Sequence, residues 1–508
     1  MRDTFVRAQY EVLLGPSQRS LRLGRPELQN SPAVRTWYGN EAVVKNLCSR
    51  FIQFALLGLA PPALLFSAST AAAVNNYYVS TSGSDSNDGS QAHPWATIAH
   101  ASTALSLGAG SGSAVINCGD SWWVGEGNVA VCVHVAAGTY TGNVTVNVSG
   151  TTTQRIVYIS DSKWAALIRG TSGGTPWLVG PAGNATAPQG NFVTIAGFDI
   201  STNASDQTYG IVTYGNFTHF VHLRVHDIPG SAANGTCTSN GGAGIAAFNE
   251  STSTNSIAAQ GAHVIGNWIQ NIGVPGQCNK IHGMYIGHAN SVIENNVVNN
   301  SAAWAINCTH QCTNGSVVSN NIAFNNGGFG TSNNGTFAMG GCVLLAGSPG
   351  GGTAGNTSVN NNICMNNGAA GSGGEIDNIN GGSAVMNTVV LNNLIFNNAE
   401  GNGDTTVGPN TTAVSLGSGS GNTVSGTINS DPKFVNYQTD GSGDYHLQAG
   451  SPATAAASSV CASGGISPCV PGYDFSDTLR VTPTSLGSYE NGASSTLAPP
   501  TGLSAVVQ

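Results

Sequence analysis

Two stretches of this sequence bring proton-moving side chains next to rings that could stack on a sugar. One reads Lys280-Ile281-His282-Gly283-Met284-Tyr285-Ile286-Gly287-His288, the other Trp304-Ala305-Ile306-Asn307-Cys308-Thr309-His310. Imidazole and phenol groups serve as general acids and bases. If Met284, Ile286 and Ile306 face a core, Tyr285 and Asn307 face away from it. Aligned copy on copy, Tyr285 falls beside Asn307 and His288 beside His310. Tyr214 and Phe248 extend the outward aromatic column upstream, and sugar rings stack their apolar faces on such a column. Lys280 and Trp304, which open the two stretches, are candidate substrate contacts. The competing reading is structural, because His282 and His288 lie at strand ends, where turn residues gather.

Two further groups could do chemistry. In Glu375-Ile376-Asp377 the carboxylates at i and i+2 share one face of a strand, about 7 Å apart. That separation suits a glycosidase pair or a Ca²⁺ site. His222, Arg224 and His226 alternate along one strand. Arg224 is expected to pair with Asp199 or Asp227, and His226 to hold a structural position that later copies give to Asn.

A repeat must position all of these. It consists of an aliphatic pair, a small or polar residue, Asn-Asn and another aliphatic. Copies are Val292-Ile293-Glu294-Asn295-Asn296-Val297, Val317-Val318-Ser319-Asn320-Asn321-Ile322, Ser358-Val359-Asn360-Asn361-Asn362-Ile363 and Val389-Val390-Leu391-Asn392-Asn393-Leu394. A weaker copy is His263-Val264-Ile265-Gly266-Asn267-Trp268. The spacing is 25 residues from Asn296 to Asn321 and 29 from Asn267 to Asn296. Self-similarity at such a period marks a solenoid, and short Val/Ile-rich runs make its unit a strand. Stacked coils bury a face that one coil cannot, and each strand pairs in parallel with its copies. The Asn that ends each run tolerates a left-handed bend, and its amide can bond the amide one coil on. A second strand family alternates with the first, as in Gly210-Ile211-Val212-Thr213 and Gly283-Met284-Tyr285-Ile286. The expected fold is an all-β, single-stranded parallel β-helix with short caps. Two spacings of 41, from His226 to Asn267 and from Asn321 to Asn362, mark insertions. Those loops, about 229–261 and 326–356, should wall a cleft between them.

Only 8% of the 508 residues are charged, and 69 are Gly. Such a composition could mean disorder, but the periodic Val/Ile supplies a core. Residues 45–73 read as a secretory signal: Lys45 and Arg50, an apolar run from Phe51 to Phe66, and Ala71-Ala72-Ala73 before the cleavage point. The run is short and broken by Pro61-Pro62, so no stable span is expected. Residues 1–44 are oddly basic for a segment ahead of a signal, and translation is expected to start near Val43 or Val44. The helix domain is expected over 74–490, with a linker-like tail over 491–508. Beyond Ala73 there are 7 Lys and Arg against 20 Asp and Glu, a formal charge of −13. Nucleic acid is an unsuitable partner for such a body. Beyond the signal ten Cys remain, as an exported, disulfide-bonded protein would have. The simplest neighbour pairs are Cys118 with Cys132, Cys237 with Cys278, Cys308 with Cys312, Cys342 with Cys364, and Cys461 with Cys469.

The segment Tyr77-Tyr78-Val79-Ser80-Thr81-Ser82-Gly83-Ser84-Asp85-Ser86-Asn87-Asp88-Gly89 continues through Pro94-Trp95-Ala96-Thr97-Ile98 to Ala136-Ala137-Gly138-Thr139-Tyr140. It resembles the opening segment of secreted right-handed parallel β-helix proteins of the pectate-lyase-like superfamily. Ser451-Pro452-Ala453 and Gly487-Ser488-Tyr489-Glu490 resemble their closing motifs. After Ala453 the usual Ile-Asp-x-Gly is replaced by Thr454-Ala455-Ala456-Ala457, so a looser C-terminal cap is expected. The resemblance implies a right-handed coil and a site along its outer face, in a groove fit for a polymer. It does not imply one activity, since the superfamily includes lyases, hydrolases, epimerases, tailspikes and silent surface proteins. Asn-Thr-Asp with a downstream Asp-Asp, Asp-Pro-His-Glu and Arg-x-Pro-x-x-Arg are all missing.

A β-eliminating lyase needs a base near the uronate C5, an acid for the leaving oxygen and a neutraliser for the carboxylate. His282 or His288 could be the base, Tyr285 the acid, and Asn307 with Lys280 the neutraliser, with His310 beside them. The expectation is a secreted, periplasmic or cell-surface monomer that engages an extracellular polysaccharide, as a lyase-like enzyme. A non-catalytic adhesin or glycan-binding protein is the alternative, and a glycoside hydrolase the second. Ca²⁺ at Glu375 and Asp377 is the one cofactor considered.

Overall fold

Valine and isoleucine at alternate positions pack inward, and the strands that carry them stack copy on copy. The computed structural model describes residues 74–180, 189–230, 241–248, 259–273, 280–327, 340–346, 355–367, 376–377, 385–398, 414–416 and 419–490. The expected signal, the tail and most of both insertions lie outside these residues. Three parallel sheets run the length of the stack, with eleven, nine and nine strands. A coil visits them in turn. Sheet I holds Val292–Glu294, sheet II Val297–Ser301, and sheet III Ile306–Thr309. Among the described residues all strand pairings between coils are parallel, for example Val292 with Val317, Val297 with Ile322, and Met284 with Ile306. Parallel strands joined by crossovers wind right-handed, and the fold is a right-handed parallel β-helix. No helix among the described residues is long and apolar enough to cross a membrane.

The coil has three strands where the repeat suggested two. The Asn-Asn motif is not the end of one strand but a corner between two. The two asparagines divide the work. The first of each pair, Asn295, Asn320, Asn361 and Asn392, takes a positive φ of 52–62°. The second is buried and forms the ladder. Asn296 Nδ2 donates to Asn321 Oδ1, Asn321 to Asn362, and Asn362 to Asn393, each at 2.9 Å. Each Nδ2 also donates to a backbone carbonyl, as Asn321 does to Ile293, so the buried amides are satisfied. The corner explains an error in the sequence reading. Leu223, not His226, holds the ladder position, and its N–H donates to Asn267 Oδ1 at 2.8 Å. His222 holds the corner position, with φ 51°. His226 instead bonds Asp199 at 3.1 Å and Asp227 at 2.7 Å, and Arg224 lies 3.6 Å from Asp199, as expected for Arg224.

The opening motif builds a cap. Asp85 accepts the N–H groups of Ala96 and Thr97 at 2.9 Å and the Thr97 hydroxyl at 2.8 Å. Thr97 in turn caps the short helix Ile98–Ala104. Trp95 donates its indole N–H to the Asn87 carbonyl and is buried.

The C-terminal end is not loose. Phe434, Tyr445, Leu447, Phe475, Leu486 and Tyr489 cover the outward apolar row Val297, Ile322, Ile363 and Leu394 of sheet II. Arg480 and Glu490 form a buried ion pair at 3.1 Å, and Arg480 also donates to Asn295 Oδ1 at 2.8 Å. Gly487, at φ 74°, sits so close that a Cβ would come within 2.7 Å of Ile363. The Thr-Ala-Ala-Ala substitution does not loosen the cap, because these later side chains anchor it. Four expected disulfides are present: Cys118–Cys132, Cys308–Cys312, Cys342–Cys364 and Cys461–Cys469. Cys237 and Cys278 lie outside the described residues.

Candidate active site on the third sheet

Parallel pairing places side chains of equal register in columns. On sheet III one column runs Leu178, Val212, Ala246, Tyr285, Asn307 and Leu344, and Asp377 then pairs with Leu344. Met284, Ile286 and Ile306 are core residues, so Tyr285 and Asn307 face outward as expected. Phe248 stacks on Tyr214 at 5.6 Å between ring centroids and lies 5.5 Å from Tyr285. The upstream half of this face is therefore aromatic.

The downstream half is polar. The Tyr285 hydroxyl and His310 Nε2 are 2.8 Å apart. His310 opens a single turn of 3-10 helix, His310–Thr313, that the Cys308–Cys312 bond ties to the strand before it. Asn307 Nδ2 donates to His282 Nε2 at 3.1 Å. Neutral His282 then carries its proton on Nδ1, and that buried N–H has no partner in the structure. Asn307 Oδ1 is buried and unpartnered as well. Buried polar atoms without partners are uncommon, and those of functional sites are among the exceptions.

Burial sets the protonation states. It pushes the His282 imidazole down to about 3 and the Tyr285 hydroxyl up to about 12. It also lowers His310. At neutral pH the tyrosine is protonated and both imidazoles are neutral; His310 Nε2 faces the tyrosine hydroxyl and can take its proton, whereas the lone pair of His282 is held by Asn307.

The remaining expected residues fare differently. His288 is wholly buried and donates from Nε2 to the Phe248 carbonyl at 3.0 Å, so it ties one coil to the next instead of standing beside His310. Trp304 is 1% exposed and packs with Ala303 and Leu344. Its ring offers no open face to a sugar, because it is covered where it packs beside the outward Leu344. Lys280 is half-buried just ahead of the strand Ile281–Ile286. Glu375 lies outside the described residues, and Asp377 is placed only by its register. Among the described residues one group could hold a metal ion: Asp120, His134 and Asp161, with ligand atoms within 4.8 Å of one another. Its nitrogen donor suits a transition metal better than Ca²⁺.

A second polar cluster escaped the sequence reading. On sheet I, His219 donates from Nδ1 to Glu126 at 2.8 Å, Arg155 Nε lies 3.3 Å from the same carboxylate, and His263 stacks on His219 at 4.0 Å. Burial works to raise Glu126, but His219 and Arg155 outweigh it and keep the carboxyl below its ordinary value. Glu126 lies 93 residues from His219 and belongs to a non-repeating loop. The only signal was that His219 and His263 occupy equal positions in successive copies.

No family model matches the chain, and no curated protein matches it in sequence. Among solved structures it is similar to the pectate lyase Pel9A, with 16% identity over 83% of this chain and 98% of that one, at a TM-score of 0.37. It is also similar to a GH136 lacto-N-biosidase from Eubacterium ramulus, with 13% identity over 70% and 67% of the chains, at 0.35. An alginate lyase from a Paenibacillus species gives 16% identity over 59% and 88%, at 0.33. By its own three parallel sheets, the chain is a right-handed parallel β-helix protein.

Proposed function

We propose that the chain is an exported carbohydrate-active protein that holds an extracellular polysaccharide along the outer face of sheet III and cleaves it by β-elimination. The observation that carries this reading is the Tyr285–His310 contact of 2.8 Å at the end of an aromatic face. Four disulfides support an oxidising compartment. Sugar rings stack on Tyr214 and Phe248, and the uronate reaches Tyr285. Tyr285 takes the C5 proton as it passes its own to His310. The C4–O bond breaks as the C4–C5 double bond forms, and the proton returns through Tyr285 to the leaving oxygen. Asn307 faces the carboxylate, and Lys280, five residues before Tyr285, meets a neighbouring sugar unit. His282 orients Asn307, which leaves His288 no part in the reaction.

The test is a panel of pectate, alginate and neutral glycans, followed by ultraviolet absorbance of unsaturated uronate and by reducing ends. Tyr285→Phe should cut product formation by about 10²–10⁴-fold with an unchanged melting temperature. Reducing ends without ultraviolet absorbance would replace elimination with hydrolysis. A second reading, a glycan-binding surface protein, draws on the burial of His282 and His288, and silence in both assays would favour it.

A further inference from the structure

The sheet I cluster borders a cavity of about 300 Å³. Three successive coils supply its floor, through Val221, Ile265 and Glu294. The loop around Trp123 closes one side and the C-terminal segment around Tyr473 and Asp477 the other. Segments far apart in sequence thus build one half-open site on a different face from Tyr285.

The polar groups that face it are of two kinds. Glu126 is spent on Arg155, His219 and Thr194. Likewise, His222 is engaged by Asp477 at 3.0 Å and by Lys163 at 3.4 Å. Glu294 is not engaged: it is 7% exposed, borders the cavity and receives no hydrogen bond at its carboxyl from any described residue. Asp477 Oδ2 is buried and likewise unpartnered. Burial raises Glu294 to about 8 against the opposing charge of Arg480, so at neutral pH it is a carboxylic acid able both to donate and to accept. A buried carboxyl left without a partner costs free energy that a ligand can recover. The rest of the lining is apolar, with Trp123, Val221, Ile265 and the half-exposed Tyr473.

We propose that this cavity is a second glycan site that takes one unit of a neutral saccharide. Ring hydroxyls pair with Glu294 and Asp477, and the apolar sugar face lies on Tyr473 and Trp123. A uronate is excluded, because Asp477 and Asp474 line the cavity and would repel it, while Arg155 and Arg480 are held by Glu126 and Glu490 and Lys163 is not part of the lining. The inference does not depend on the β-elimination reading.

Titration of the full chain with neutral mono- and disaccharides, followed by calorimetry and tryptophan fluorescence, tests it. Galacturonate and glucosamine serve as charged counterparts. At least one neutral sugar should bind. Glu294→Leu and Tyr473→Ala should each weaken that binding by roughly tenfold or more, Glu294→Gln should largely keep it, and Tyr285→Phe should leave it unchanged. Binding of no neutral sugar would overturn the proposal. So would equal binding by Glu294→Leu and Tyr473→Ala, or tighter binding of either charged sugar.

Discussion

His282, His288 and Glu294 are all buried, yet burial gives them different tasks. Among the described residues the His288 ring has one hydrogen-bond partner, the Phe248 carbonyl one coil back. His288→Ala would leave that carbonyl unpaired, so it should destabilise the fold by about 1–3 kcal/mol in urea titration. Activity per folded molecule should stay unchanged. Glu294 acts on pH dependence. Its carboxyl is raised from 4.5 to about 8, so between these values the folded state keeps a proton that the unfolded state has lost. Its contribution to stability is therefore fully present below 4.5 and is lost as pH rises through about 8. Melting of wild type and Glu294→Gln across that range should show the wild type losing ground as pH rises. A constant difference would mean that Glu294 is ionised in the folded state. The two histidines were visible in the sequence as chemistry-bearing types, but their burial was not, because a strand end can turn either way.

Among the elements, the corner between sheets I and II carries the repeat. Asn321 Oδ1 accepts both the backbone N–H and the side chain of Asn296, while its own Nδ2 donates to Ile293 and Asn362. Asn321→Ala removes all four bonds from a buried site. It should cost at least about 1–3 kcal/mol, read as a shift in the urea midpoint. The ladder was legible because Asn recurs at equal register. The third strand was not, since runs of three residues such as Ile322–Phe324 are too short to show alternation beside a corner.

The whole molecule is closed by its C-terminal segment. Tyr489 and Glu490 belong to a motif that the sequence offered only as a resemblance. In the structure Tyr489 joins the cover over sheet II, and Glu490 accepts from Arg480 and from the Ser485 hydroxyl. Glu490→Ala leaves the Arg480 charge buried and unpaired, so it should cost about 3–5 kcal/mol. The double variant Arg480→Met, Glu490→Leu should be markedly less damaging. Equal losses in urea titration would show that the cost lies in losing the polar network and not in the stranded Arg480 charge.

The sequence by itself determined what its period repeats: the coil, the parallel pairing, the Asn ladder and the placing of Tyr285 beside Asn307. Equal register puts equal positions in contact, so these needed no tertiary knowledge. Neighbouring cysteines paired for a similar reason, being close along the chain. Only the tertiary structure decided what non-repeating segments reach. It turned His310 onto Tyr285, buried Trp304, laid the C-terminal segment along sheet II and closed a cavity over Glu294 with residues near 123 and 473. A loop or tail without a period carries no register, and its contacts are fixed only when the stack gives it a surface to pack against.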